Sequence, residues 1–216
     1  MAKITPDEFR LIAQFIYSLC GLSLDESKAY LVETRLASVL HDTGCDSFSE
    51  LYVKARSDVS GAINRRIVDA ITTNETSFFR DSSPFELLQH KVLPDIIDAK
   101  SSKCGGMPIP IRIWSAACST GQEVYSVAMT IMDLLPDLSR YRVYIIGTDI
   151  SNAAVAHASR GIYSRLEIER GLPSAKLNRY FTPEGANWKV RDEVRALVSF
   201  QTANLMQPLT IPGRFD

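Results

Sequence analysis

The sequence predicts an α/β protein: an all-helical N-terminal domain, then a domain built on a parallel sheet, with a small antiparallel β-subdomain. Three observations predict it. Apolar residues recur at helical spacing across the first 71 positions. Two short apolar runs follow, at 111–115 and 141–147, each succeeded by a helical pattern. Strand, helix, strand, helix implies parallel strands with right-handed crossovers. Near the end, Trp188-Lys189-Val190 and the run 194–200 read as strands of a small antiparallel element. The expected divisions are a helical domain at 1–71, a linker at 72–82 and a sheet domain at 83–216, with the β-subdomain at about 180–200.

The elements follow in order. Thr5-Pro6-Asp7-Glu8 is a helix start, with a hydroxyl cap, proline at the first helical position and acids in the first turn. Phe9, Ile12, Ala13, Ile16 and Leu19 form its apolar face, and Gly21 stops it. Asp25 or Ser27 starts a second helix, ended by Gly44, and Ser47 caps a third. A fourth runs from about 59 to 71, completing a small bundle with short connections. Ser83-Pro84-Phe85-Glu86 opens a helix to about Lys91, with Pro94 inside or beyond it, and 100–110 reads as a loop. A strand at 111–115, a helix at 122–135, a strand at 141–147 and a helix at 152–159 then build the sheet domain.

Bulk properties narrow the function. A net charge of −1 and a pI of about 6.3 lack the basic footprint that nonspecific nucleic-acid binding needs. The cysteines, Cys20, Cys45, Cys104 and Cys118, form no C-x-x-C pair, and His41, His90 and His157 stand apart from any cysteine cluster. No metal site is expected, and scattered cysteines suit a reducing compartment. With no signal-peptide core and no apolar run of spanning length, the reading is cytoplasmic, without membrane insertion.

Two stretches carry chemistry. One is T-T-N-E-T-S-F-F-R, residues 72–80; the other is I-R-I-W-S-A-A-C-S-T-G-Q-E-V-Y-S, residues 111–126. In the second, residues 116–121 are all small, which lets a ligand approach the backbone at the carboxyl end of a strand. They fit neither a dinucleotide G-x-G-x-x-G nor a phosphate loop. An ordinary tight strand-to-helix turn has the same look. Asp149, ending the second strand, can accept bonds from ribose hydroxyls or cap the following helix. Glu123 occupies a first helical turn, where an acid is favourable in any case. In the first stretch, turn formation could explain Asn74 and the hydroxyls, and the phenylalanines could be plain core. What remains is a strongly polar segment at the join of two domains, a common place for ligands.

Together these stretches resemble the S-adenosylmethionine site of the CheR family, the glutamate O-methyltransferases that modify bacterial chemoreceptors. The family's T-T-N-x-T-x-F-F-R is matched at every fixed position, and its S-A-A-x-S-T-G-x-E-x-Y-S is matched at 115–126. K-A-Y-L-V-E-T-R-L (28–36), G-I-Y-S (161–164), R-Y-F (179–181) and T-A-N-L-M (202–206) also match in order, so the likeness covers about residues 9–216. It implies a Rossmann-like S-adenosylmethionine-dependent methyltransferase domain behind the helical one. It implies cofactor contacts from Asn74, Thr76, Arg80, Glu123 and Asp149, and from Asn204 and Leu205 near the adenine. Arg35 would face the mouth of the active site, and Arg80 would orient a carboxylate of cofactor or substrate. The product would be S-adenosylhomocysteine, and the partner the cytoplasmic helical region of chemoreceptors. No catalytic triad is expected, because a glutamate side chain is already ionised at neutral pH.

The sequence also departs from the family pattern. The helix after the R-L pair reads A-S-V-L-H-D rather than arginine-rich, and the hairpin T-P-E-G-A-N-W-K (182–189) is short. A short hairpin predicts no tether to a receptor's C-terminal pentapeptide. The sequence given stops at G-R-F-D (213–216), before the family's fourth strand and its C-R-N motif. It therefore reads as truncated, with an unpaired edge I-R-I-W on the first strand and doubtful activity by itself. A non-catalytic adenosylmethionine-binding or docking module is the rival reading, and a methyltransferase for nucleic acid or a small molecule is a third.

Overall fold

The computed structural model describes residues 3–211 and 213–216. The chain divides into two compact units. One runs up to Thr73 and includes Ile150–Asn152 and Ala203–Leu209; the other comprises Asn74–Asp149, Ala153–Thr202 and Thr210–Asp216.

The first unit is helical. Its opening helix, α1 (Pro6–Cys20), begins with a capping box in which the Thr5 side chain accepts the Glu8 N–H and the Glu8 carboxylate accepts the Thr5 N–H. Asp25 caps a single 3-10 turn, Glu26–Lys28, that leads into α2 (Ala29–Thr43). Ser47 caps α3 (Phe48–Ser57). The last helix, α4 (Ala62–Ile71), starts later than position 59. Asp58 holds the intervening turn, its carboxylate accepting the N–H groups of Ser60 and Ile63. Ile12, Ile16, Leu36, Phe48, Leu51 and Ile71 meet in the buried core of this unit.

The second unit opens with α5 (Ser82–Leu87), which passes through a π-helical segment, Leu88–Val92, into α6 (Leu93–Ser101). The helical path thus extends beyond Lys91 with Pro94 inside it. Pro94 sits in the first turn of α6, where a missing N–H is least costly, and the wider π turn precedes it. Then come β1 (Ile109–Ala116), α7 (Gln122–Leu134), β2 (Tyr141–Asp149), α8 (Asn152–Arg160), β3 (Ile162–Ser164), α9 (Arg165–Glu169) and α10 (Ser174–Tyr180). The chain continues through β4 (Phe181–Glu184), β5 (Asn187–Val190), α11 (Asp192–Arg195) and β6 (Val198–Thr202).

Among the described residues the strands form two sheets, a parallel one in the order β1-β2-β6 and an antiparallel one in the order β3-β5-β4. One expectation needs correction. Residues 194–200 do not join the antiparallel element: Val194 lies on α11, and β6 pairs in parallel with β2, Ile145 opposite Val198. The β-subdomain therefore closes at Val190 rather than near 200. A short run such as V-S-F-Q-T carries no label for its partner; the long connection 150–197, which includes α8 and the β-subdomain, supplies the crossover that parallel pairing requires. β1 is an edge strand of the parallel sheet, as expected, and Asp216 bonds to that edge at Arg112. The Arg112 N–H donates to the Asp216 carboxylate, and the Arg112 carbonyl accepts the Asp216 N–H, at 2.9 and 3.0 Å. Lys100 pairs with the same carboxylate at 2.6 Å.

The packed face of α7 (Val124, Tyr125, Ala128, Met129 and Ile131) forms the centre of the core in this unit. That helix is held over the sheet directly behind the turn 117–121, so the turn is fixed at both ends. Among the described residues no helix is long and apolar enough to cross a membrane, and no group of three or more His, Cys, Asp or Glu could hold a metal ion.

Candidate functional site

The turn between β1 and α7 is built under backbone constraint. Ala117 and Ser119 are both left-handed, at φ 57° and 52°, and Gly121 follows at φ 93°. Non-glycine residues in that region cost about 1–3 kcal/mol each and persist only where surrounding structure holds them. Here the end of β2 does so: the Cys118 N–H donates to the Thr148 carbonyl at 2.9 Å, and the Ser119 N–H donates to the Asp149 carboxylate at 2.7 Å. The packing behind Gly121 admits no side chain, since a Cβ there would lie 2.7 Å from the Ala158 Cβ. Tyr163 secures the same turn by donating to the Thr120 carbonyl at 2.8 Å.

Asp149 is thus bound to the turn, where it is buried. Glu123 is exposed at the start of α7 and accepts the Ser115 hydroxyl at 2.8 Å. The two carboxylates belong to one sheet end. Their presence is felt by Cys118, whose thiol is pushed up to about 12, first by burial and then by the charges of Asp149 and Glu123. The thiol stays protonated near neutral pH and is no nucleophile. The Ser119 hydroxyl is buried without a hydrogen-bond partner among the described residues. A buried hydroxyl left unmatched is costly, so it marks a place where a polar ligand would gain a bond. Adenosylmethionine fits this donor set: ribose hydroxyls suit Asp149 and Ser119, and a cationic ligand suits a turn flanked by two acids.

The polar segment 74–80 is anchored through Phe78, which is wholly buried and meets Tyr163 and Phe181 edge-on at 5.0 and 5.6 Å. Asn74 and Thr76 are half-buried ahead of it. Phe79 is left-handed at φ 48°. Arg80 is exposed, and its guanidinium folds back to donate to the Glu75 carbonyl at 3.1 Å rather than extending as a simple surface group. Glu75 in turn pairs with Arg170 at 3.1 Å.

The remaining expected site residues, Arg35, Asn204 and Leu205, fall in the helical unit. Arg35 donates to the Ile71 carbonyl at 2.5 Å, at the end of α4. The Asn204 amide donates to the Leu19 carbonyl at 2.8 Å, and its oxygen accepts the Met206 N–H at 3.0 Å. Leu205 is exposed. Arg35 and Asn204 therefore each have structural work within their own unit. Sequence reasoning passed over Ser119 itself: the run of small residues was visible, but nothing in it distinguished the buried hydroxyl from its neighbours.

Comparison with known proteins identifies the family. The family model described as "CheR methyltransferase, SAM binding domain" matches residues 74–216, and "CheR methyltransferase, all-alpha domain" matches residues 7–72. The chain is 37% identical to "Chemotaxis protein methyltransferase Cher2" of Pseudomonas putida, over 97% of this chain and 75% of that protein. It is 38% identical to "Chemotaxis protein methyltransferase 1" of Pseudomonas aeruginosa, with the same coverage. It is 39% identical to "Chemotaxis protein methyltransferase" of Vibrio parahaemolyticus, over 99% of this chain and 76% of that protein. The cofactor of such a domain is S-adenosylmethionine, the methyl donor, and the turn and acids at the end of β1 and β2 lie within the matched region. With an all-helical domain ahead of an adenosylmethionine-binding domain, and relatives alike over nearly its full length, this chain belongs to the CheR methyltransferase family.

Proposed function

We propose that this protein transfers a methyl group from S-adenosylmethionine to glutamate side chains of chemoreceptors, giving glutamate methyl esters. The observation that carries the reading is the Ser119–Asp149 bond at 2.7 Å, beside a buried, unmatched Ser119 hydroxyl, inside a region matched by the family's cofactor domain. Asp149 would accept from the ribose hydroxyls, and Glu123 would meet the cofactor from the first turn of α7. Asn74, Thr76 and Arg80 would contact its amino-acid part, the planar guanidinium gripping a carboxylate. Asn204 and Leu205 would lie near the adenine, and Arg35 would face the substrate. When bound, the cofactor supplies an electrophilic methyl group on a sulfonium.

No general base is needed from the chain, because a glutamate carboxylate with a reference pKa of about 4.3 is already the nucleophile at neutral pH. What the residues contribute is orientation, worth roughly 7–11 kcal/mol in favourable cases, and exclusion of water. The names of the relatives support chemotaxis as the setting. The substrate surface would be the cytoplasmic helices of the receptor. The hairpin of β4 and β5 turns at Gly185 within four-residue strands, which supports docking without a C-terminal pentapeptide.

The test is incubation with methyl-labelled adenosylmethionine and receptor cytoplasmic domain. Label released as methanol by mild alkali identifies a carboxyl ester. Alkali-stable label would overturn the glutamate assignment, and cofactor binding without any transfer would favour a docking module. Calorimetry with a receptor C-terminal pentapeptide should show no heat above dilution; micromolar binding would overturn tether-free docking.

A further inference from the structure

Phe79 stands immediately before Arg80, in a left-handed conformation that a bulky aromatic does not adopt unaided. Its peptide unit with Phe78 is touched by two groups that the cofactor assignments above leave unused. The Ser126 hydroxyl accepts the Phe79 N–H at 3.1 Å. Gly171, in the turn between α9 and α10, lies so close to the Phe78 carbonyl that a Cβ on it would sit 2.2 Å from that oxygen. Gly171 is itself at φ 102°, a conformation that again favours glycine.

Ser126 is wholly buried on α7, on the side of the helix away from Val124 and Ala128. A hydroxyl there is costly unless its bonds are used. Both are: its proton goes to the Gln122 carbonyl at 2.7 Å, leaving a lone pair for the Phe79 N–H. The Phe79 ring is held too, with the Lys176 ammonium 4.9 Å from its centre. Lys176 is in turn fixed by the Asp133 carboxylate.

We infer that Ser126 and Gly171 are positioning residues for Arg80: together they clamp the Phe78–Phe79 peptide unit, keep Phe79 left-handed and so set the direction in which Arg80 leaves the chain. The inference rests on the reading that Arg80 meets a ligand carboxylate. Neither residue touches the cofactor; both act through the backbone.

Two measurements on the full chain test it. In ligand-free protein, Ser126→Ala should speed hydrogen exchange at the Phe79 amide by about tenfold, as one lost bond implies. In titrations with S-adenosylhomocysteine, Ser126→Ala should weaken binding about five- to tenfold, and Gly171→Ala, which must displace the Phe78 carbonyl, should weaken it more. Ser126→Thr, which keeps the hydroxyl, should retain affinity. In an Arg80→Ala background neither substitution should weaken binding further. Full loss persisting in that background would overturn the inference, since the residues would then act on the fold rather than through Arg80. Should Ser126→Ala fail to fold, Gly171→Ala and Ser126→Thr carry the same cycle. Wild-type protein that binds no S-adenosylhomocysteine would bring down the reading of the site beneath the clamp. Wild-type binding that both variants keep would bring down the clamp alone.

Discussion

The site residues of the sheet unit and those of the helical unit carry motif matches of equal quality but differ physically. In the sheet unit, the turn 117–121 holds two non-glycine residues at positive φ and a buried hydroxyl with no partner among the described residues. In the helical unit, Arg35 and Asn204 complete local structure, one bonding the last carbonyl of α4 and the other joining Leu19 to Met206. The first region holds strain and an unmet polar group; in the second, Arg35 and Asn204 are bonded to the chain around them. The difference teaches that a motif residue's role is better judged by what the fold leaves unmet around it than by the match itself.

The sharpest way to break this comparison is Asp149→Ala. It removes both the proposed ribose acceptor and the partner of the Ser119 N–H, so affinity for S-adenosylhomocysteine should fall by about two orders of magnitude. Unchanged affinity in calorimetry would remove the turn from the site. Next in size is Arg80→Ala. Its protein contact is an exposed bond to Glu75, so circular dichroism should be unchanged while methyl transfer drops about tenfold or more. Full activity would refute the role, and loss of folding would make the arginine structural.

Asn204→Ala and Arg35→Ala should differ in costing stability as well as function. Each breaks bonds inside the helical unit, at a cost of about 1–2 kcal/mol in denaturant unfolding. If either left stability unchanged while abolishing ligand binding or transfer, the contrast between the units would fail. The smallest effect concerns pH. The folded chain keeps the Cys118 proton up to about 12, whereas an ordinary thiol loses it near 9.0. Across that window the unfolded state releases a proton that the folded state retains, so stability falls as pH rises. Cys118→Ala should make the alkaline decline in melting temperature shallower; an identical slope would show that burial of the thiol does not contribute.

Much of this was legible in the sequence because it is local. A capping box, a serine cap and a run of small residues after an apolar strand act over a few positions, so α1, α3, β1 and α7 could be read directly. The motif spacing likewise pointed to the adenosylmethionine domain. Other features depend on partners distant in the chain. Residues 194–200 had no local mark assigning them to β2 rather than to the nearby hairpin, and parallel pairing came with the long connection 150–197 that returns the chain to β2. The same holds at the site. That the sequence holds Asp149, Ser119, Ser126 and Gly171 is plain on reading it. That the Ser119 N–H meets a carboxylate 30 positions away, and that the Phe79 N–H meets a hydroxyl 47 positions away, was decided by tertiary structure. Hydrogen bonds and close backbone approach act over a few ångströms, and only the packing of α7 and the sheet brings those atoms within that range.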